Sequence, residues 1–134
     1  MLISPASGHT VGDSDSSFVT AEWTEGPCPA EGPMWVAPLH RHHKCDEAWY
    51  VLEGRLAFLV DGEEIVADAG SMVFVPRGSS HTYWNPDAVQ ARYLLIMTPL
   101  THDLIGAIHA GEDRSVEGLK ALFARYGAEF IGWS

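Results

Sequence analysis

Positive charge is scarce in this chain. Its 134 residues carry 8 Lys+Arg against 18 Asp+Glu, a formal net charge of −10, and no basic residue precedes Arg41. Phosphate backbones and anionic lipid surfaces are both held by clustered lysine and arginine, so neither nucleic acid nor a membrane surface is an expected partner. Cysteine is scarce too. Cys28 and Cys45 lack a C-x-x-C spacing and cannot form a disulfide framework, which leaves two free thiols suited to a reducing compartment. The longest apolar runs, such as AWYVL, LAFLV and YLLIM, fall far short of the ~18–20 residues that span a bilayer. The opening MLISPASGHTVGDSDSS has neither a basic start nor a sustained apolar stretch, so no signal peptide is expected and a cytoplasmic location is the expectation left. What the chain does have is 46% hydrophobic residues, enough at this length for one domain with a true core, and seven histidines that composition does not account for.

Three stretches differ in texture. Residues 1–17 are rich in Ser, Gly and Asp and read as a flexible arm. Residues 18–98 alternate short apolar runs (FVTAEWT, MWVAPLH, EAWYVL, RLAFLV, EIVA, MVFV, HTYW, ARYLLIMT) with turn residues. Val, Tyr, Trp, Phe and Thr at this turn spacing predict an antiparallel sandwich or barrel. Asp61-Gly62 is the strongest hairpin signal, because a type I′ turn needs two residues that tolerate positive φ. Pro76 should end the MVFV strand, since it has no N–H to donate. Runs apolar on both faces, LAFLV and YLLIM, predict strands covered on each side, and from them a homodimer.

Residues 99–134 read as a helical extension. Leu100, Leu104, Ile105 and Ile108 recur at helical intervals before Gly111, and Leu119, Leu122, Phe123 and Tyr126 form a second stripe between a capping Ser115 and Gly127.

The histidines concentrate in His40-Arg41-His42-His43-Lys44-Cys45-Asp46-Glu47. On a strand, residues two apart share a face, so His40 and His42 point together while Arg41 and His43 point away. Glu47 opens the following run, and a hairpin would swing its carboxylate back toward the two imidazoles. Two neutral imidazoles and a carboxylate on one side make a competent ligand set for a divalent first-row metal. A second segment, running from Gly70 to Asn85, places His81 at the head of an aromatic strand behind a Pro/Gly turn.

Together the segments read His-x-His, four residues, Glu47, six residues, Gly54; then Gly70, five residues, Pro76, one, Gly78, two, His81, three, Asn85. These two motifs resemble those of the cupin superfamily, over about residues 32 to 98. One position departs: Met34 stands where the family often has glycine, six residues before the first histidine. The chain is most similar overall to single-domain cupins of the quercetin-dioxygenase-like group, which share a helical C-terminal extension.

The resemblance implies an all-β fold, a single cupin β-barrel of jelly-roll type with the two-helix extension. It also implies one divalent transition metal ion (Fe, Mn, Ni, Co, Cu or Zn) held by His40, His42, Glu47 and His81. The implied activity is that of a metal-dependent dioxygenase-like enzyme on a small enol, phenol or aromatic substrate, with Glu47 as both ligand and general base. The alternatives are a non-oxidative metal-dependent isomerase or lyase, or a non-catalytic small-molecule binder, since one fold hosts many activities. Strand phase places Val36, Pro38, Trp49, Val51 and Tyr83 in the substrate pocket. The pattern gives no ligand role to Cys45, and His9, His43, His102 and His109 read as bystanders.

Overall fold

The computed structural model describes residues 1–4, 6 and 8–133; Pro5 and Ser7 of the acidic arm and Ser134 of the extension lie outside the described residues. The chain order is β1 (Thr10–Val11), β2 (Val19–Glu25), β3 (Leu39–His42), β4 (Glu47–Glu53), β5 (Arg55–Val60), β6 (Glu63–Asp68), β7 (Met72–Val75), β8 (Ser80–Trp84), β9 (Ala91–Met97), α1 (Pro99–Ala110), α2 (Val116–Arg125) and β10 (Ala128–Gly132). The strands form two five-stranded antiparallel sheets, β1-β2-β9-β4-β7 and β10-β3-β8-β5-β6. Alternate side chains of β9 and β4 are buried, as a sheet with one face on the core requires.

The expected barrel does not close. The sheets remain separate layers, because the chain passes from one to the other at a turn rather than by hydrogen bonding around a rim. At Gly70–Ser71 the backbone exchanges hydrogen bonds with Val51, the Gly70 N–H donating to Val51 O (2.8 Å) and the Val51 N–H to Ser71 O (3.0 Å). That clamp carries β7 away from β6 and onto β4. The edge strands β1 and β7 have only two and four residues, too few to bridge the layers.

The hairpin signal at Asp61-Gly62 holds: both residues adopt positive φ, 49° and 82°, and β5 and β6 pair from Val60↔Glu63 outward. The run MWVAPLH does not form one strand. Pairing begins only at Leu39, since Pro33 and Pro38 cannot donate to a ladder, and β3 extends through His42 instead. Ser115 caps α2 by accepting from the Gly118 N–H, Thr98 caps α1, and Gly111 follows α1.

Beyond the expected helices, Ala128–Gly132 forms β10 along the free edge of β3. A main apolar core, including Trp49, Val51, Leu56, Phe58, Tyr93 and Leu95, lies between the sheets. A second cluster of Leu104, Leu119, Phe123, Ala128 and Phe130 joins the helices to β10. No described helix is long and apolar enough to cross a membrane.

Candidate metal centre

The antiparallel register of β3 and β8 sets His40 directly opposite His81, which puts both imidazoles on the inner face with ring centroids 4.3 Å apart. His42 follows two residues along β3 on the same face, and Glu47 projects toward the three from β4 of the other sheet. All four are buried, and one ligand atom from each lies within 4.8 Å of every other. His43 is exposed, as its phase requires. Cys45 is buried but is not among the converging groups.

The hydrogen bonds orient the donor set. His40 Nδ1 faces Pro38 O at 2.6 Å and His81 Nδ1 faces Ser79 O at 3.2 Å. Carbonyls only accept, so these bonds place a proton on each Nδ1 and turn each Nε2 inward. There His40 Nε2 stands 3.2 Å from His42 Nε2, while Glu47 Oε1 stands 2.8 Å from His42 Nε2 and 3.0 Å from His81 Nε2. Nitrogen lone pairs and a carboxylate converging on one point repel unless a cation or a proton lies among them. The set therefore fits a divalent ion, with three imidazoles and one carboxylate leaving coordination positions open.

Burial, reinforced by the neighbouring His81 and His42, pushes His40 down to about 3 and keeps it neutral and ready to ligate. For Glu47, burial alone would raise the carboxyl. The hydrogen bonds and charges of His42 and His81 outweigh it and hold the group below the usual carboxylate range.

Loops brace this arrangement from outside. Asp46 accepts from the Arg77 backbone N–H (2.8 Å) and from Arg77 Nη2 (3.0 Å), tying the start of β4 to the turn before β8. The Gly78 N–H donates to His42 O (2.7 Å), and Arg41 Nε donates to Gly78 O (2.9 Å).

The ligands line a cavity of about 730 Å³, within the range of small-molecule sites. Val36, Pro38, Trp49 and Tyr83 line it, Val36 and Pro38 from an irregular segment rather than from a strand. Val51 does not. It lies one pleat beyond Trp49, fully buried in the apolar core between the sheets.

Much of the wall comes from residues that no motif marks. Trp23 and Glu25 come from β2, Ile105 and His109 from α1, and Arg114 from the interhelical loop. His109 thus sits on the cavity rather than apart from it. The amphipathic stripe of α1 was the available signal, but its periodicity does not say that its apolar face roofs a cavity instead of a packed core.

The family model for the cupin domain matches residues 32–97. A tetracenomycin polyketide synthase protein, TcmJ of Streptomyces glaucescens, is 30% identical over 104 residues, covering 74% of this chain and 70% of that protein. The chain belongs to the cupin family. Quercetin 2,3-dioxygenase of Bacillus subtilis is 32% identical over 71 residues, 53% of this chain but 19% of the enzyme. Apart from TcmJ, the chain spans a half or less of the length of the curated relatives it matches. A cupin protein from Bacteroides fragilis superposes with a TM-score of 0.59 at 18% identity, covering 73% of this chain and 80% of that one, which establishes the likeness of fold.

Proposed function

We propose that this cupin is a metal-dependent dioxygenase-like enzyme acting on a small enol, phenol or aromatic substrate. The observation that carries the reading is the convergence of four buried ligand atoms on the wall of a cavity otherwise lined by aromatic and aliphatic side chains. A divalent ion held there would supply Lewis-acid chemistry toward an oxygen donor of the substrate. His40, His42 and His81 hold the site through their inward Nε2 atoms. Trp49, packed edge-on between His81 and Tyr83, gives a flat substrate a surface to lie against. Glu47 is the one carboxylate among the ligands. Its Oε1 already faces two imidazoles, and the carboxylate is the group able to take a substrate hydroxyl proton. The match to a quercetin dioxygenase supports this class.

Dissolved-oxygen uptake by metal-loaded protein, tried with flavonols, enols and diketones, tests the reading. Uptake with at least one member, abolished in His81→Ala, is expected. Silence across the panel from protein with a full complement of metal would remove the oxygenase assignment.

The protein is further proposed to be a homodimer. Tyr50 pairs with Leu94 and Met72, and Ala48 with Ile96 and Phe74, all on the outer face of the sheet whose inner face bears Glu47. Met72 and Phe74 are 59% and 63% exposed there, and a twofold axis would cover such a face with its own copy. Light scattering should give the mass of two protomers; a single-protomer mass would end this part of the proposal.

A further inference from the structure

Away from the metal ligands, the cavity has a second polar region built from residues outside both motifs' ligand positions. Tyr83 lies two residues after His81 on the same face of β8, about 7 Å along the strand at the usual rise. Its hydroxyl is 2.7 Å from that of Tyr93, and the Tyr93 hydroxyl donates to Glu25 Oε1 at 2.8 Å. A phenol has one proton. With that of Tyr93 given to Glu25, Tyr83 donates to Tyr93, and the chain of hydrogen bonds runs from Tyr83 through Tyr93 to the carboxylate. The Tyr83 oxygen is left as an acceptor beside the cavity, which Tyr83, Trp49 and Glu25 all line.

Trp49 supplies the complementary half. Its Nε1–H is buried and without a hydrogen-bond partner among the described residues, although the ring is 1% exposed and lines the cavity. Its Nε1–H faces the Tyr83 hydroxyl but falls short of hydrogen-bond geometry with it. Buried donors are almost always paired, so an orphan on a cavity wall points to a group supplied from outside the chain.

We infer that Tyr83, Trp49 and Glu25 form a hydroxyl-recognition site for the end of the ligand remote from the metal, the aromatic class of that ligand resting on the proposed function. A hydroxyl both donates and accepts. It can give its proton to Tyr83 or Glu25 and receive that of Trp49, whereas an ether oxygen can only accept and a methyl group does neither. The site therefore selects aromatic ligands oxygenated at two separated positions over those carrying a single oxygen.

The test uses small probes that report on this region without chelating: p-cresol, 4-methylanisole and toluene. Each is titrated by calorimetry into the full chain as purified, and again after metal removal by a chelator. The expected result is about tenfold tighter binding of p-cresol than of toluene, with 4-methylanisole between them and the order unchanged by the chelator. In Tyr83→Phe the advantage of p-cresol should fall to within about twofold while toluene affinity stays the same. Independently of that variant's folding, the Trp49 indole N–H resonance, assigned by its loss in Trp49→Phe, should move downfield with p-cresol and not with toluene. Equal binding of the three probes, or an unmoved Trp49 signal, overturns the inference. So does a p-cresol preference that disappears on chelation, since the hydroxyl would then be bound by the metal ligands. Oxygen uptake plays no part in these readouts, so failure of the oxygenase reading is separately visible.

Discussion

Along β4, Glu47 and Val51 face the same interior four residues apart, yet their surroundings have nothing in common. Glu47 meets three imidazoles at a cavity, while Val51 lies among Leu56, Phe58 and other apolar side chains with no accessible surface. Between them Trp49 has one side toward each environment, touching His81 and Phe58. The two ends of one sandwich therefore divide the work. The packed end supplies the burial that keeps the sheets together, and the hollow end holds polar groups whose desolvation is offset by hydrogen bonds and, when bound, by a cation.

Substitutions at the two ends should therefore fail in different ways. The largest effect expected is on metal. Glu47→Gln and His42→Ala should lower metal affinity more than about 100-fold, read as loss of metal by elemental analysis after dialysis, while the far-ultraviolet circular dichroism is retained. Phe58→Ala should do the reverse, costing ~3–5 kcal/mol in denaturant unfolding with metal stoichiometry unchanged. Loss of metal from the Phe58→Ala protein would show the two ends to be a single unit.

Acid should attack the hollow end first. In metal-free protein His40 titrates at about 3, against ~6.5 for an unfolded histidine. The unfolded chain therefore takes up that proton first, and stability falls as pH drops from ~6.5 toward 3. Glu47, held below its ordinary range, adds stability that is present above ~4.3 and is lost as pH falls through its folded value. Both trends have the same sign, and together they are worth on the order of a few kcal/mol. Unfolding midpoints should decline from pH 7 to 4 through His40, and the further decline below ~4.3 should be smaller in Glu47→Gln.

The smallest effect expected is at the outer brace. Asp46→Asn should leave the unfolding midpoint nearly unchanged, because its pair with Arg77 is exposed. It should still weaken metal binding by up to about tenfold, because Asp46 fixes the start of the strand that carries Glu47.

The legible and illegible parts of the site follow the same divide between local and non-local information. His40 and His42 are readable because a two-residue period fixes their face whatever surrounds them, and Asp61-Gly62 because its turn is decided by backbone sterics within two residues. The four candidate metal ligands stand in two dense motifs, where spacing alone carries the resemblance. Glu25 stands before Gly26-Pro27, where an acid looks like the solvated end of a strand. Its meeting with Tyr93 depends on the register of β2 against β9, which no local pattern announces. Phase puts Val51 on the inner face that it occupies, but phase does not say how far along the strand the cavity extends. β10 gives no warning either, because Ala128–Gly132 is too short to signal a strand by itself and forms one by pairing with the edge of β3.

That last pairing bears on how the protein reaches its working state. β3 carries two of the metal ligands, and the contact of Arg41 with Glu129 on its edge joins residues 88 positions apart. The β5–β6 hairpin closes over two residues, so it can assemble in microseconds, whereas docking β10 must wait for a large loop to close. Metal-binding competence should therefore lag behind sheet formation during refolding. In a stopped-flow experiment, uptake of metal would follow the recovery of tryptophan fluorescence rather than accompany it.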